Sequence, residues 1–170
     1  MEANRLPEPW LRGTLADVHP VPRAVLHALE LAKEDLERWC GSLSDAELNA
    51  RPTGLAPVAF HLRHIARSMD RLLSYAEGNQ LSGIQIDAMK NELDPGAKRE
   101  ELSAELELAL RKSAARIRAF DVTRLNDPRV VGKKELPTTL GGLLVHVADH
   151  TQRHVGQAIT TSKIVSSQKS

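Results

Sequence analysis

The 170-residue chain predicts an all-α protein, a four-helix bundle, and three observations carry that expectation. Four long stretches space their apolar residues three and four apart, the period of one helix face. Nowhere does a convincing strand pattern appear. Aromatic residues make up only 3% of the chain, so its core has to be built from Leu, Val, Ile and Ala, which suits packed helices. The length fits one domain with room for a real core.

Residues 1–20 carry Pro7, Pro9 and Pro20 and are expected to form an extended arm, pinned to the domain by Trp10 and Leu11. Pro22 suits the first turn of a helix, where its missing N–H costs nothing. From there Val25, Leu29, Ala32, Leu36 and Trp39 make one stripe, and Gly41 is the candidate C-cap. Within the loop 42–56, Ser44-Asp-Ala-Glu47 has the form of a capping box and predicts a short helical turn. The second long helix should start at Pro57, present Val58, His61, Ile65, Leu72 and Tyr75, and stop near Gly78. Ser82 to Leu93 reads as a short helix closed by Asp94-Pro95-Gly96. The third long helix runs from about Lys98 to Phe120, with Leu102, Leu106, Ala109, Leu110, Ile117 and Phe120 inward. Residues 121–138, which include Pro128, Gly132 and Pro137, read as a loop without strands. The last helix covers about Thr139 to Val165. The bundle domain is thus expected at 21–165, with 166–170 a tail that frays. The long second connection lets helices two and three run parallel, in up-down-down-up order.

Bulk properties exclude several function classes. With 23 basic and 22 acidic residues the formal net charge is +1, which gives no electrostatic footprint for nucleic acid or an anionic membrane. One cysteine, Cys40, rules out an intrachain disulfide and a cysteine-based zinc site. No stretch approaches the roughly 18 apolar residues of a membrane span. The N-terminus, with Glu2 and Glu8 and no apolar run, does not read as a signal peptide, so a cytoplasmic setting is expected.

Chemistry concentrates in the histidines. His146, His150 and His154 follow one another at four-residue spacing, and His61 and His64 lie in the second helix. Residues i and i+4 share a helix face, so His150 and His154 can reach one metal ion. Leu143, Val147, His150, His154 and Ala158 form a stripe expected to face the core. Two imidazoles there need polar partners, since an unsatisfied one costs about 1–3 kcal/mol, and a metal satisfies both at once. The bland alternative hydrogen-bonds them to Asp, Thr or backbone. A third ligand from the second helix would leave an open position, as in catalytic sites. Either His61 or His64 can supply it, with Asp70-Arg71 as a supporting pair, and His146 can be a fourth ligand, a proton shuttle or a mouth residue. His19 and His27 stand apart and read as ordinary. Three imidazoles suit Zn, Ni, Fe or Cu about equally. Thr151, Gln152 and Arg153 separate the paired histidines, so the Glu of the zinc-protease helix is missing. Gly141-Gly142 lacks the strand and Gly-Lys of a phosphate loop and fits close packing better. Cys40 reads as inert, the acidic runs as solvated faces, and haem ligation as a minor option.

Two runs carry a family resemblance: Phe60-His61-Leu62-Arg63-His64-Ile65-Ala66 with Asp70-Arg71, and His150-Thr-Gln-Arg-His154-Val-Gly156-Gln157. Over Trp10 to about Lys163 the chain resembles the DinB-like superfamily of metal-binding bundles. The resemblance implies His64, His150 and His154 as the metal triad, with His64 preferred to His61 because Ile65-Ala66 follows it. It further implies zinc or nickel, a homodimer, and activity like that of thiol-dependent S-transferases or a thiol-dependent maleylpyruvate isomerase, with a low-molecular-weight thiol as cosubstrate. Relatives described as hydrolases make a metal-dependent hydrolase the alternative, and a non-catalytic metal- or ligand-binding bundle is the rival from another class. The chain departs from the family pattern at Val155, where Arg is common, and in its extra His61 and His146. His146, His61 and Arg153 are candidates for proton transfer or positioning of a small-molecule substrate. The family's name does not argue for DNA binding.

Overall fold

Two prolines open the first long helix. In the computed structural model of the chain, which describes residues 6–168, α1 covers Pro20–Cys40. Both prolines sit in its first turn, and the His19 ring caps it by accepting from the Val21 N–H at 3.4 Å. Ser44 and Glu47 form the expected capping box ahead of α2 (Asp45–Asn49), and α3 spans Val58–Ala76. A second capping box, from Ser82 and Gln85, starts α4 (Gly83–Lys90), and α5 spans Arg99–Ala119. After β1 (Pro128–Val131) and β2 (Leu136–Thr139) the chain ends in α6 (Leu140–Ser167). Among the described residues no helix is long and apolar enough to cross a membrane.

The structure is mainly helical, but the hairpin corrects the strand-free reading of 121–138. β1 and β2 pair antiparallel from Pro128 opposite Thr139 to Val131 opposite Leu136. Gly132 (φ 72°) and Glu135 (φ 48°) take left-handed backbone that reverses the chain between them, and the glycine does so without a Cβ penalty. The strand sequences Pro-Arg-Val-Val and Leu-Pro-Thr-Thr do not alternate apolar and polar residues, although exposure alternates along β1. The two prolines that argued against a strand are tolerated because both strands of a two-stranded ribbon are edges.

The hairpin fixes the start of α6. Arg129 donates to the Ala76 carbonyl at the end of α3 at 2.6 Å, and the Gly141 N–H donates to the Leu125 carbonyl at 2.8 Å. A Cβ on Gly141 would stand 3.1 Å from that same oxygen, and one on Gly142 2.9 Å from Thr138 Oγ1. Close packing therefore accounts for the glycine pair.

Long α6 packs along α1 on one side and α3 on the other, while α5 packs on α3 and, less extensively, on α1. Val25, Leu29, Ala32 and Leu36 of α1 meet Ile65, Met69 and Leu73 of α3 and Leu144, Val147 and Val155 of α6 in one core. The N-terminal segment is held differently from expectation. Trp10 is 61% exposed, its indole N–H turned to Glu8, and Leu11 is exposed as well. Arg12 makes the attachment, with nitrogens 2.6 and 2.8 Å from the two Glu34 oxygens and 3.1 Å from Glu30, while Leu15 and Val18 pack on the core. Residues 1–5 of the expected arm and 169–170 of the expected tail lie outside the described residues, and α6 continues through Ser167.

Candidate metal centre

The buried line of α6 runs through Leu144, Val147, Thr151, Val155 and Ala158. His150 and His154 each stand one residue ahead of it, half-buried and turned toward α3. Leu143, Val147 and Ala158 of the expected stripe are buried, and the stripe is corrected by one residue only at the two histidines. With 3.6 residues per turn, both 147→150 and 147→151 fall on neighbouring lines, and the less polar line takes the middle of the core. Val155 is 2% exposed, so an apolar residue fits that departure from the family pattern.

His64 comes to the pair from α3. Its Nε2 lies 2.8 Å from His150 Nε2, and its ring centre lies 4.3 Å from that of His154. One nitrogen from each of His64, His150 and His154 lies within 4.8 Å of the others, and no further Cys, His, Asp or Glu of the described residues joins them. The structure thus brings together the three histidines that the family resemblance implied, and of the two left open by spacing alone it is His64 that joins the pair. On the other side of the His64 ring, Nδ1 is 2.6 Å from Glu92 Oε2, and Arg71 donates to Glu92 Oε1 at 2.6 Å. Phe60, one turn earlier on α3, stacks on His64 at 5.2 Å.

Glu92 is the participant that sequence reasoning missed. It is 4% exposed, just beyond the end of α4, and nothing in its spacing from His64 marks it. Of the Asp70-Arg71 pair only Arg71 supports the centre, through Glu92. Asp70 faces away, to Arg116 and Gln85.

His61 is buried beside the triad, its Nδ1 3.1 Å from His154 Nδ1. It lines an open groove of about 490 Å³ with Leu55, Arg153, Gly156, Gln157 and Thr160. Arg153 donates to Asp149 at 2.7 Å, and exposed His146 lies 3.6 Å from the same carboxylate, its ring 5.4 Å from that of His150. His27 pairs with Thr14 and His19 caps α1, so both are accounted for locally.

Burial is the leading cause that pushes His61, His150 and His154 down to about 4. Neighbouring positive charge adds to it: His154 and His64 act on His61; His154, His64, His146 and Arg153 act on His150; His64 and Arg153 act on His154, where Glu92 opposes them. Burial alone would raise Glu92, but hydrogen bonds from His64 and Arg71 overcome it and hold the carboxyl below its ordinary value. Cys40 is pushed up to about 11 by burial, against a hydrogen bond with Ser162, and stays a thiol. The donor set fits a divalent cation. His64 and His154 engage Nδ1 with Glu92 and His61, His64 turns its Nε2 to His150 Nε2 at the centre, where an ion would take the place of that contact, and the lowered values keep His150 and His154 neutral at pH 7.

The same values set an acid limit for the metal-free protein. Unfolded histidine titrates near 6.5, above the folded value, so the unfolded chain binds more protons between about 6.5 and 4. Stability is complete above that window and falls as pH drops through it. Thermal melts of chelator-treated protein should show a midpoint that declines steadily over those pH values, and less steeply in His61→Gln. A flat midpoint across the window would refute the assignment.

The family model described as the DinB superfamily matches residues 28–158. A crystal structure of a conserved protein from Enterococcus faecalis is similar in fold, with a TM-score of 0.72 at 20% identity, covering 87% of this chain and 98% of that one. No curated protein matches. The family match encloses His64, His150 and His154, and with it the chain belongs to the DinB superfamily.

Proposed function

We propose that the chain is a divalent-metal-dependent enzyme that joins a low-molecular-weight thiol to a small electrophile, in the manner of the thiol-dependent S-transferases of its family. The observation that carries this reading is three histidines, with no fourth protein ligand among the described residues, beside an open groove. Three protein ligands with an open position are the mark of catalytic rather than structural sites. When bound, a divalent cation supplies Lewis acidity that favours the deprotonated form of a thiol or water next to it.

The chain's own residues prepare that position. Glu92 accepts the Nδ1 proton of His64 and so directs its Nε2 lone pair into the centre, and Arg71 holds Glu92 in place. His61, neutral at pH 7, is placed between His154 and the groove to take or return a proton. Arg153 and His146, spaced along the exposed edge of α6 by Asp149, position an anionic part of the substrate. The reading also takes zinc or nickel as the ion, a homodimer, a cytoplasmic setting, residues 21–165 as the domain and up-down-down-up order for the four long helices.

Metal analysis of the purified protein, paired with a screen of small electrophiles with and without thiols, tests it. The expected result is a stoichiometric divalent metal and product formation only when thiol is present. Turnover in plain buffer with metal would assign a hydrolase instead, and absence of bound metal would end both readings.

A further inference from the structure

Away from the histidines, α3, α4 and α5 line a cavity of about 270 Å³. α4 buries none of its residues, so apolar burial does not hold it there. Polar clasps do: Gln85 donates to Asp70 at 2.6 Å and to Ser74 at 2.8 Å, and Arg67 donates to the Ala88 carbonyl at 2.7 Å.

Three of the cations around this space are already neutralised, Arg67 by Glu105, Arg71 by Glu92, and Arg116 by Asp70 and Glu77. Two side chains are not engaged. Lys112 is exposed at the cavity and has no carboxylate partner among the described residues. Ser113, beside it, is 3% exposed, and no hydrogen bond engages its hydroxyl among those residues. Unlike Thr151 Oγ1, which is sealed off entirely, that hydroxyl keeps contact with the open space. The walls also carry apolar surface that folding leaves uncovered: Ile84 is 83% exposed and Leu108 44%.

We propose that this cavity is a second binding site, for a small amphipathic carboxylate. The carboxylate accepts from Lys112 and from the Ser113 hydroxyl, and its apolar body covers Ile84, Leu108 and Ala109. The chemistry follows from what is left unpaired. The Ser113 hydroxyl opens to the cavity and no protein group among the described residues engages it, the Lys112 ammonium faces the same space, and one carboxylate can accept from both donors. Apolar walls with a few convergent polar groups are the usual make-up of small-molecule sites. The volume admits one ring or a short chain, and an inorganic anion would leave the apolar walls bare. This site stands independently of the metal reading.

Benzoate serves as the probe, titrated into the full chain as purified and followed by proton–nitrogen correlation spectra. Saturable shifts are expected first at residues 84–88 and 109–113. Ser113→Ala and Lys112→Glu should each weaken binding about tenfold while leaving the spectrum folded, since a hydrogen bond to a charged group contributes on that scale. Lys112 is exposed, so its replacement does not threaten the fold. Neutral benzamide and inorganic phosphate should bind more weakly than benzoate. The proposal is overturned by an absence of shifts, by shifts confined to the surroundings of His64 and His154, by unchanged affinity in both variants, or by benzamide binding as well as benzoate.

Discussion

His150→Ala should hold a divalent metal about 10²–10³-fold more weakly than the parent chain. The magnitude comes from dividing the roughly 10–16 kcal/mol of a four-ligand zinc site among its donors, about 2.5–4 kcal/mol each. Stability of the metal-free protein should change little, because the imidazole is half-buried at the edge of the core and the residues on the buried line stay in place. Competition against a chelating dye measures the affinity, and a far-ultraviolet spectrum shows that the fold persists. His146→Ala is the control: its ring is exposed, outside the triad, and 5.4 Å from that of His150, so its removal should leave metal affinity within about threefold. Metal retention by His150→Ala would dismantle the triad. An equal loss in His146→Ala or His61→Gln would mean four protein ligands, which closes the centre and favours a non-catalytic binding bundle.

The helices were legible because their signals are local. The Ser44–Glu47 capping box, the prolines at the start of α1 and the three-and-four spacing in α3 and α5 each fix a helix from within a few residues. His64, His150 and His154 were legible in part for the same reason, since i and i+4 on one helix need no knowledge of the fold; the choice of His64 over His61 came from the family pattern. What stayed hidden depends on contacts between distant segments. Glu92 reaches His64 only because α4 folds back over α3, and no spacing in the sequence encodes that return. On α6 the expected stripe holds at Leu143, Val147 and Ala158 but is off by one residue at His150 and His154, because a helix clamped between α1 and α3 has two sides to fill, and periodicity does not say which line goes between them. The hairpin was missed because its prolines argue against strands, an argument that holds for central strands and fails at edges.

Glu92 offers the sharpest separation of fold from site. It is buried, with Arg71 on one oxygen and His64 on the other. Glu92→Ala strands the Arg71 guanidinium without its counterion, and breaking a buried pair in this way costs about 3–5 kcal/mol. The same change frees the His64 ring and should lower metal affinity about 10–100-fold. Glu92→Gln isolates the second effect. The amide has one accepting oxygen, which Arg71 claims because it has only donors to offer. The amide nitrogen then faces His64 Nδ1 and forces that atom to accept, so the imidazole proton moves to Nε2 and blocks the lone pair meant for the ion. Metal affinity should therefore fall about 10–100-fold, while the thermal midpoint drops less than in Glu92→Ala. The double replacement Arg71→Met with Glu92→Leu removes both buried charges together, so stability should recover while metal affinity stays low. If Glu92→Gln binds metal as tightly as the parent chain, or if the double variant recovers affinity along with stability, the carboxylate serves only to neutralise Arg71. The orientation of His64 must then come from its stack against Phe60.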